Sequence, residues 1–156
     1  MNRYMQTKWS WIEGTHKVRL QLLESLNDTD LTYNPGGQNI SLGALFRELG
    51  EVQYSYTQSL RTFKQDWSYR NLEVGLESNS IQLKTWFQTL DEEMKAVGTA
   101  LSNEDLTKEI DRGGYAVTAE MQLDIYLQAL LIFCGKVSIY LKVINKVLPE
   151  MHAFIG

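Results

Sequence analysis

Few side chains in this sequence are candidates for catalysis or for binding a ligand. His16 lies on the apolar stripe of the first predicted helix, where it could be a core histidine hydrogen-bonded to a neighbour or a polar group lining a pocket. Glu48 flanks the apolar stripe of the second helix, and Lys136 shares one face of the last helix with apolar residues. An inward-facing lysine needs a partner or must extend to solvent. An interhelical ion pair between Glu48 and Lys136 is therefore one possibility.

Other reactive groups are few, and the familiar motifs are absent. Cys134 is the single cysteine and lies in the apolar run 129–135. Reactive cysteines lie in electropositive, partly exposed places, so we expect a buried thiol and no nucleophile. His152 follows Pro149 near the end of the chain, where we expect a surface position. The sequence has no phosphate-binding glycine loop, no H-E-x-x-H and no G-x-S-x-G.

Composition bounds the class of protein. The 156 residues include 15 basic and 19 acidic side chains, for a net charge of −4, which disfavours nucleic-acid binding. This length and an ordinary apolar content predict one globular domain over residues 1–156. The N-terminal residues have no apolar run or small-residue cleavage site, so we expect no secretion signal, and run 129–135 is far shorter than a membrane span. We therefore expect a cytoplasmic protein that binds no membrane.

The elements that must position these residues are four helices. Apolar residues recur three and four apart, the spacing that places them on one helix face. We predict helices over residues 4–26, from Ser41 as N-cap to Phe63, from Ser80 to Leu101, and from Thr118 as N-cap to about Val147. Four such segments predict an all-α four-helix bundle.

The connections carry their own signals. Residues 27–39 contain Asn-Pro-Gly-Gly and predict turns, and residues 66–78 predict irregular chain. Ser102-Asn-Glu-Asp resembles a capping box that could start a short helix to Ile110. Gly113-Gly114 then predicts a small hairpin before Val117.

The last helix is apolar on nearly every side between Ile125 and Phe133. Such a helix is central in the core or shared with a second subunit, so the sequence also predicts a homodimer.

Three stretches resemble the DinB/YfiT-like family of four-helix-bundle proteins. The first, LTYNPGGQNISLGALFREL, covers residues 31–49 and is similar to the family's loop and second helix. The second, LSNEDLTKEI, covers residues 101–110 and is similar to its link between helices three and four. The third, IFCGKVSIYLKVINKVLP, covers residues 132–149 and is similar to its last helix. In this order the stretches imply the family's fold over nearly the whole chain.

The resemblance also implies where a divalent metal would be bound. Family members hold the ion with one histidine on helix two and an H-x-x-x-H pair on helix four. Those positions fall on Glu48, Ala129 and Phe133, and the family's following Gly-Gln falls on Gly135-Lys136. Alanine and phenylalanine cannot bind a metal, and one carboxylate would hold it weakly. We therefore expect no metal and no other cofactor.

Three functions remain open on this sequence. The first is a metal-free binding or interaction protein whose pocket is lined by Glu48, Ala129, Phe133 and Lys136, with His16 as a further member. The second is an enzyme, either a transferase that uses a low-molecular-weight thiol or a hydrolase, as in metal-containing relatives. The third is a structural or regulatory dimer formed through the last helix.

Overall fold

A computed structural model describes residues 1–150 of the chain, so His152 lies outside the described residues. The helices are α1 (Arg3–Thr7), α2 (Trp9–Glu24), α3 (Asp28–Leu31), α4 (Leu42–Thr62), α5 (Ser80–Ala100) and α6 (Ala119–Val143). The four long ones, α2, α4, α5 and α6, pack around one hydrophobic core. The predicted all-α four-helix bundle is therefore confirmed.

Three of the predicted helix starts are confirmed with their capping contacts. The side chain of Ser41 accepts a hydrogen bond from Ala44 N at the start of α4, and Thr118 accepts one from Met121 N at the start of α6. Helix α5 begins at Ser80, with the Asn79 side chain as its cap. These caps satisfy backbone N–H groups that have no partner inside the helix.

The first predicted helix is divided in two. The backbone at Lys8 has φ −122° and ψ −22°, which separates α1 from α2. Helix α1 is tied to the far end of α5, because the Asn2 amide donates hydrogen bonds to the carbonyl oxygens of Gly98 and Leu101 at 2.7 and 2.8 Å. This contact between distant residues fixes an angle that helical spacing cannot predict.

The last helix ends four residues earlier than predicted. Asn145 adopts a left-handed conformation with φ 59°. The N–H of Lys146 donates to the carbonyl of Leu141, and the N–H of Asn145 donates to that of Lys142. This hydrogen-bond pattern is a Schellman motif, which closes a helix before any proline is reached.

A small hairpin joins α5 to α6. The Ser102 hydroxyl and the Asp105 carboxylate cap each other's backbone N–H groups, which confirms the predicted capping box. Only a 3₁₀ turn follows, at Asp105–Thr107. Strands β1 (Glu109–Asp111) and β2 (Ala116–Thr118) then pair in antiparallel fashion around Gly113 and Gly114, as predicted. The predicted helix to Ile110 is wrong, because Ile110 pairs with Val117 in the strand and is buried.

Within residues 1–150, α6 is the one helix long and apolar enough to cross a membrane by length and composition alone. The core helix of a soluble bundle meets the same criteria, and 44% of the apolar window is buried inside the bundle. Its inner face includes Leu130, Cys134 and Leu141, which are almost fully buried.

Candidate functional site

The cleft between α4 and α6, where the resemblance implies a metal, is filled by aromatic packing. Phe133 is 5% exposed, and its ring lies edge-on to that of Phe46, with 5.1 Å between ring centroids. Ala129, one turn earlier on α6, is half-buried. Neither side chain has an atom that could ligate an ion.

The charged residues predicted for this cleft lie at its surface. Glu48 and Lys136 are both exposed. Among the ion pairs of residues 1–150 none joins them, so the predicted interhelical pair does not form. Since both side chains reach solvent from the rim of the bundle, neither needs the other to offset the cost of burial.

The residues at these positions do not fit a metal centre. Glu48 would supply one exposed carboxylate, and Ala129 and Phe133 would supply nothing. Across residues 1–150 there is no group of three or more His, Cys, Asp or Glu side chains arranged to hold an ion.

His16 belongs to a different part of the molecule. It is buried on α2, where its Nε2 lies 2.7 Å from the Tyr126 hydroxyl of α6 and its Nδ1 lies 3.2 Å from Asp91 Oδ1 of α5. It lines a groove between α2 and α5 to which Glu48, Ala129, Phe133 and Lys136 contribute nothing. The five predicted residues therefore do not form one pocket. Both interpretations of His16 hold at once, because it is bonded to a neighbour and lines a pocket.

An ion pair lies beside His16 at the floor of this groove. The Nη2 of Arg19 on α2 donates to Asp91 Oδ1 and Oδ2 at 2.8 and 2.6 Å. Gln53 of α4 accepts from Arg19 Nη1 and donates to Asp91 Oδ1, both at 2.8 Å. The Phe87 ring lies 4.1 Å from the guanidinium carbon. With Tyr126, this network joins all four long helices.

The protonation states of the network follow from its burial. Burial, and then the nearby Arg19 charge, lower the pKa of His16 well below its usual value, so the ring is neutral. Burial raises the pKa of Tyr126, so its hydroxyl keeps a proton to donate to His16 Nε2. The ring proton then lies on Nδ1, beside the Asp91 carboxylate, because the other tautomer would place a lone pair against that charge.

Sequence reasoning missed Arg19, Gln53, Asp91 and Tyr126. Arg19 follows His16 by three residues and is therefore on the same helix face. That spacing is the signal that could have identified it. Asp91 gave no such signal, since it begins an Asp-Glu-Glu run in which Glu92 is exposed.

The groove above the network has a cavity volume of about 510 Å³. Two ion pairs cross it from α5 to α2, Lys95 to Glu13 at 2.8 Å and Lys84 to Glu24 at 3.2 Å. Apolar side chains form much of its walls: Trp9, Leu20, Leu23, Ile81 and Phe87. A concave apolar site with a few convergent polar groups is the common form of a small-molecule pocket.

A second polar cluster fastens the hairpin to the bundle. The buried Gln122 side chain of α6 bonds Ser59, Gln65 and Arg112. The Arg112 guanidinium lies 5.5–5.8 Å from three aromatic rings, those of Tyr56, Trp67 and Tyr115. These bonds tie the hairpin to α4 and α6, although Gln65 Nε2 is buried without a hydrogen-bond partner in residues 1–150.

The single cysteine has no reactive role in this arrangement. Cys134 is almost fully buried, and burial raises the pKa of its thiol to about 11. The expected burial of this thiol is confirmed.

Two solved structures share this architecture. The DinB-like protein YjoA from Bacillus subtilis superposes with a TM-score of 0.73 and 18% identity, over 91% of this chain and 95% of that one. A DinB-like protein from Bacillus cereus superposes with a TM-score of 0.72 and 12% identity, over 94% of each chain. No family model matches the sequence, and no curated protein matches it. The protein therefore has the DinB-like fold, and the resemblance seen in the sequence is confirmed at the level of the fold.

Proposed function

We propose that this protein acts without a metal and binds a small amphipathic molecule in the groove between α2 and α5. The observation that carries this proposal is the unequal exposure of the ion pair at the groove floor. Arg19 is 2% exposed, whereas the Asp91 side chain is 30% exposed. The buried cation thus holds in place a carboxylate that a ligand can reach.

The groove lining indicates the chemical class of the ligand. Leu23 and Phe87 are buried, and Leu20 and Ile81 present apolar surface near the opening. These walls favour a ligand with an apolar part about the size of an aromatic ring. The Asp91 carboxylate favours a hydrogen-bond donor, such as an N–H group, at one end of that apolar part.

The absence of donor atoms between α4 and α6 supports the metal-free part of the proposal. Where the resemblance implies imidazoles, this chain has an alanine and a phenylalanine that packs on Phe46. Elemental analysis of protein purified without added metal should find no stoichiometric zinc, nickel, iron or manganese. Near-unit occupancy that Glu48→Ala abolishes would refute this part.

The enzyme alternative has less support. A thiol transferase needs a group that lowers the pKa of a bound thiol, and His16 is neutral with both ring nitrogens facing protein groups. Tyr126 is fully buried and Cys134 is protonated. The base that a ligand can reach at the floor of the described groove is Asp91, and its carboxylate is already held by Arg19 and Gln53.

Fluorescence titration with N-phenyl-1-naphthylamine, an apolar amine with one N–H donor, tests the groove. Thr85→Trp places a large ring in the groove lining, whereas Thr89→Trp places the same ring one turn away on α5 outside it. The two threonines are matched, since both are exposed and both bond the carbonyl four residues back. We expect saturable binding that Thr85→Trp weakens at least about tenfold, as blocking a pocket should, and Thr89→Trp leaves unchanged. Equal affinity for the parent and Thr85→Trp would contradict the proposal.

A further inference from the structure

The outward face of α6 carries an apolar stripe that nothing in residues 1–150 covers. Met121, Ile132, Ile139 and Val143 are 53–63% exposed. With the half-buried Ile125 they recur at intervals of four or seven residues, so they share one face. Leu131 adds a 39% exposed side chain on its flank.

A glycine lies on one flank of the stripe. Gly135 lies in the interior of α6, is exposed, and has no atom within 4 Å of the position a Cβ would occupy. Glycine weakens a helix interior, and elsewhere it permits close approach of another chain. The open space at Gly135 would allow another chain to approach this part of α6 closely.

The charges beside the stripe have a polarity that suits a second copy of α6. Glu120 and Asp124 lie in the first two turns, whereas Lys136 and Lys142 lie in the second half. By helical periodicity, Asp124 and Lys142 share one flank of the stripe. An antiparallel copy would therefore bring Lys142 to Asp124, whose carboxylate is bonded to Lys8 and Tyr4 and still 38% exposed.

We propose that two copies of this protein pair through α6, antiparallel, about a twofold axis near Phe133. Because the axis passes near Phe133, two residues that face each other across it have sequence numbers that sum to about 266. Asp124 then meets Lys142 of the second copy, and Leu131 meets Gly135, so a protruding side chain enters a gap. The interface is self-complementary, as twofold symmetry requires. This inference rests on α6 alone and is independent of the groove.

Light scattering and sedimentation equilibrium test the pairing. We expect the parent to be a dimer and Ile132→Glu to raise the dimer dissociation constant at least about a hundredfold, because two like charges would meet near the axis. Ile81→Glu is the matched control, since Ile81 is an exposed helical isoleucine on α5 and its variant should remain dimeric. Circular dichroism checks that both variants fold.

The orientation has its own test. Lys142 makes no ion pair within residues 1–150, so Lys142→Glu should weaken an antiparallel dimer by placing a carboxylate beside Asp124. Adding Asp124→Asn to Lys142→Glu removes the like charge and should recover part of the affinity, and Asp124→Asn alone measures the loss of the bonds to Lys8 and Tyr4. In a parallel pair, Lys142 would face its own copy and Lys142→Glu would not weaken association.

Three results would overturn the inference: a monomeric parent, a dimer that Ile132→Glu leaves intact, or a Lys142→Glu dimer as tight as the parent's. A monomeric parent that sediments with phosphatidylcholine–phosphatidylglycerol vesicles, and loses this with Ile132→Glu, would assign the stripe to a lipid surface instead.

Discussion

At the scale of single residues, the Arg19–Asp91 pair is the most unusual feature of the molecule. A long cationic side chain is almost never fully buried without partners. Arg19 has two acidic oxygens, one amide oxygen and an aromatic ring around it. Because Asp91 keeps partial contact with solvent, replacing Asp91 and replacing Arg19 should lower the free energy of unfolding by different amounts.

Asp91→Ala should destabilise the fold more than Arg19→Met. The first change leaves a buried cation whose remaining polar partners in the network, the Gln53 amide and the Tyr126 hydroxyl, are neutral, which typically costs about 3–5 kcal/mol. The second removes the buried charge, fills much of its volume, and leaves a carboxylate that water can reach. Urea denaturation of both variants measures the difference, and an equal or reversed order would show that the pair is not buried as described.

The pH dependence of stability should carry the signature of His16. Its folded pKa lies well below the unfolded value of 6.5, so below that pH the unfolded chain binds a proton that the folded chain does not. The free energy of unfolding should therefore fall as the pH drops from 7 to 5, by up to about 1.4 kcal/mol per pH unit for one group.

His16→Gln is expected to reduce this slope between pH 7 and 5 without changing the slope between pH 7 and 8, where neither state binds the proton. Denaturation curves at unit pH intervals provide the measurement. An unchanged slope below pH 6.5 would mean that His16 is protonated in the folded protein.

At the scale of elements, neighbouring segments approach a helix backbone most closely at particular glycines. A Cβ on Gly43 of α4 would lie 1.7 Å from the Glu77 carbonyl oxygen in the 3₁₀ turn before α5. One on Gly135 of α6 would meet nothing. The same substitution should therefore have opposite effects on two helices.

Gly43→Ala should lower the free energy of unfolding by about 1–3 kcal/mol, because the turn backbone must move. Gly135→Ala, made with Ile132→Glu so that pairing through α6 does not contribute, should raise it by about 0.5–1 kcal/mol, since alanine loses less entropy in a helix. Thermal unfolding of the two variants with their parents compares the changes. Destabilisation by both would indicate a contact at Gly135 within the monomer.

The elements were largely predictable because their signals are local. Ser41 and Thr118 act as caps within three residues of themselves, and Gly113-Gly114 turns the chain within one hairpin. The break at Lys8 was not predictable, because Asn2 is held by carbonyl groups almost 100 residues away.

The candidate site was predictable only in part, for the same physical reason. Spacing placed His16 on the inner face of its helix but could not say which helices it would face. It could not distinguish Asp91, which turns toward Arg19, from Glu92 beside it. Glu48 and Lys136 lie on the right helices, yet rotation about each helix axis leaves both in solvent.

At the scale of the whole molecule, the described chain has a DinB-like bundle that is closed between α4 and α6 and has a groove between α2 and α5. Helices α4 and α6 close on each other through Phe46 and Phe133. The groove lies between α2 and α5, over a network that reaches all four long helices. The proposed ligand site therefore lies on the α2–α5 side of the bundle.

Tryptophan resonances report on the two sides separately. Trp9 lines the α2–α5 groove, whereas Trp67 lines the surface depression that contains Glu48. A ¹H–¹⁵N spectrum recorded during titration with N-phenyl-1-naphthylamine would follow both indole N–H signals. The account predicts that the Trp9 signal moves to saturation while the Trp67 signal stays in place; movement of Trp67 with Trp9 unchanged would contradict it.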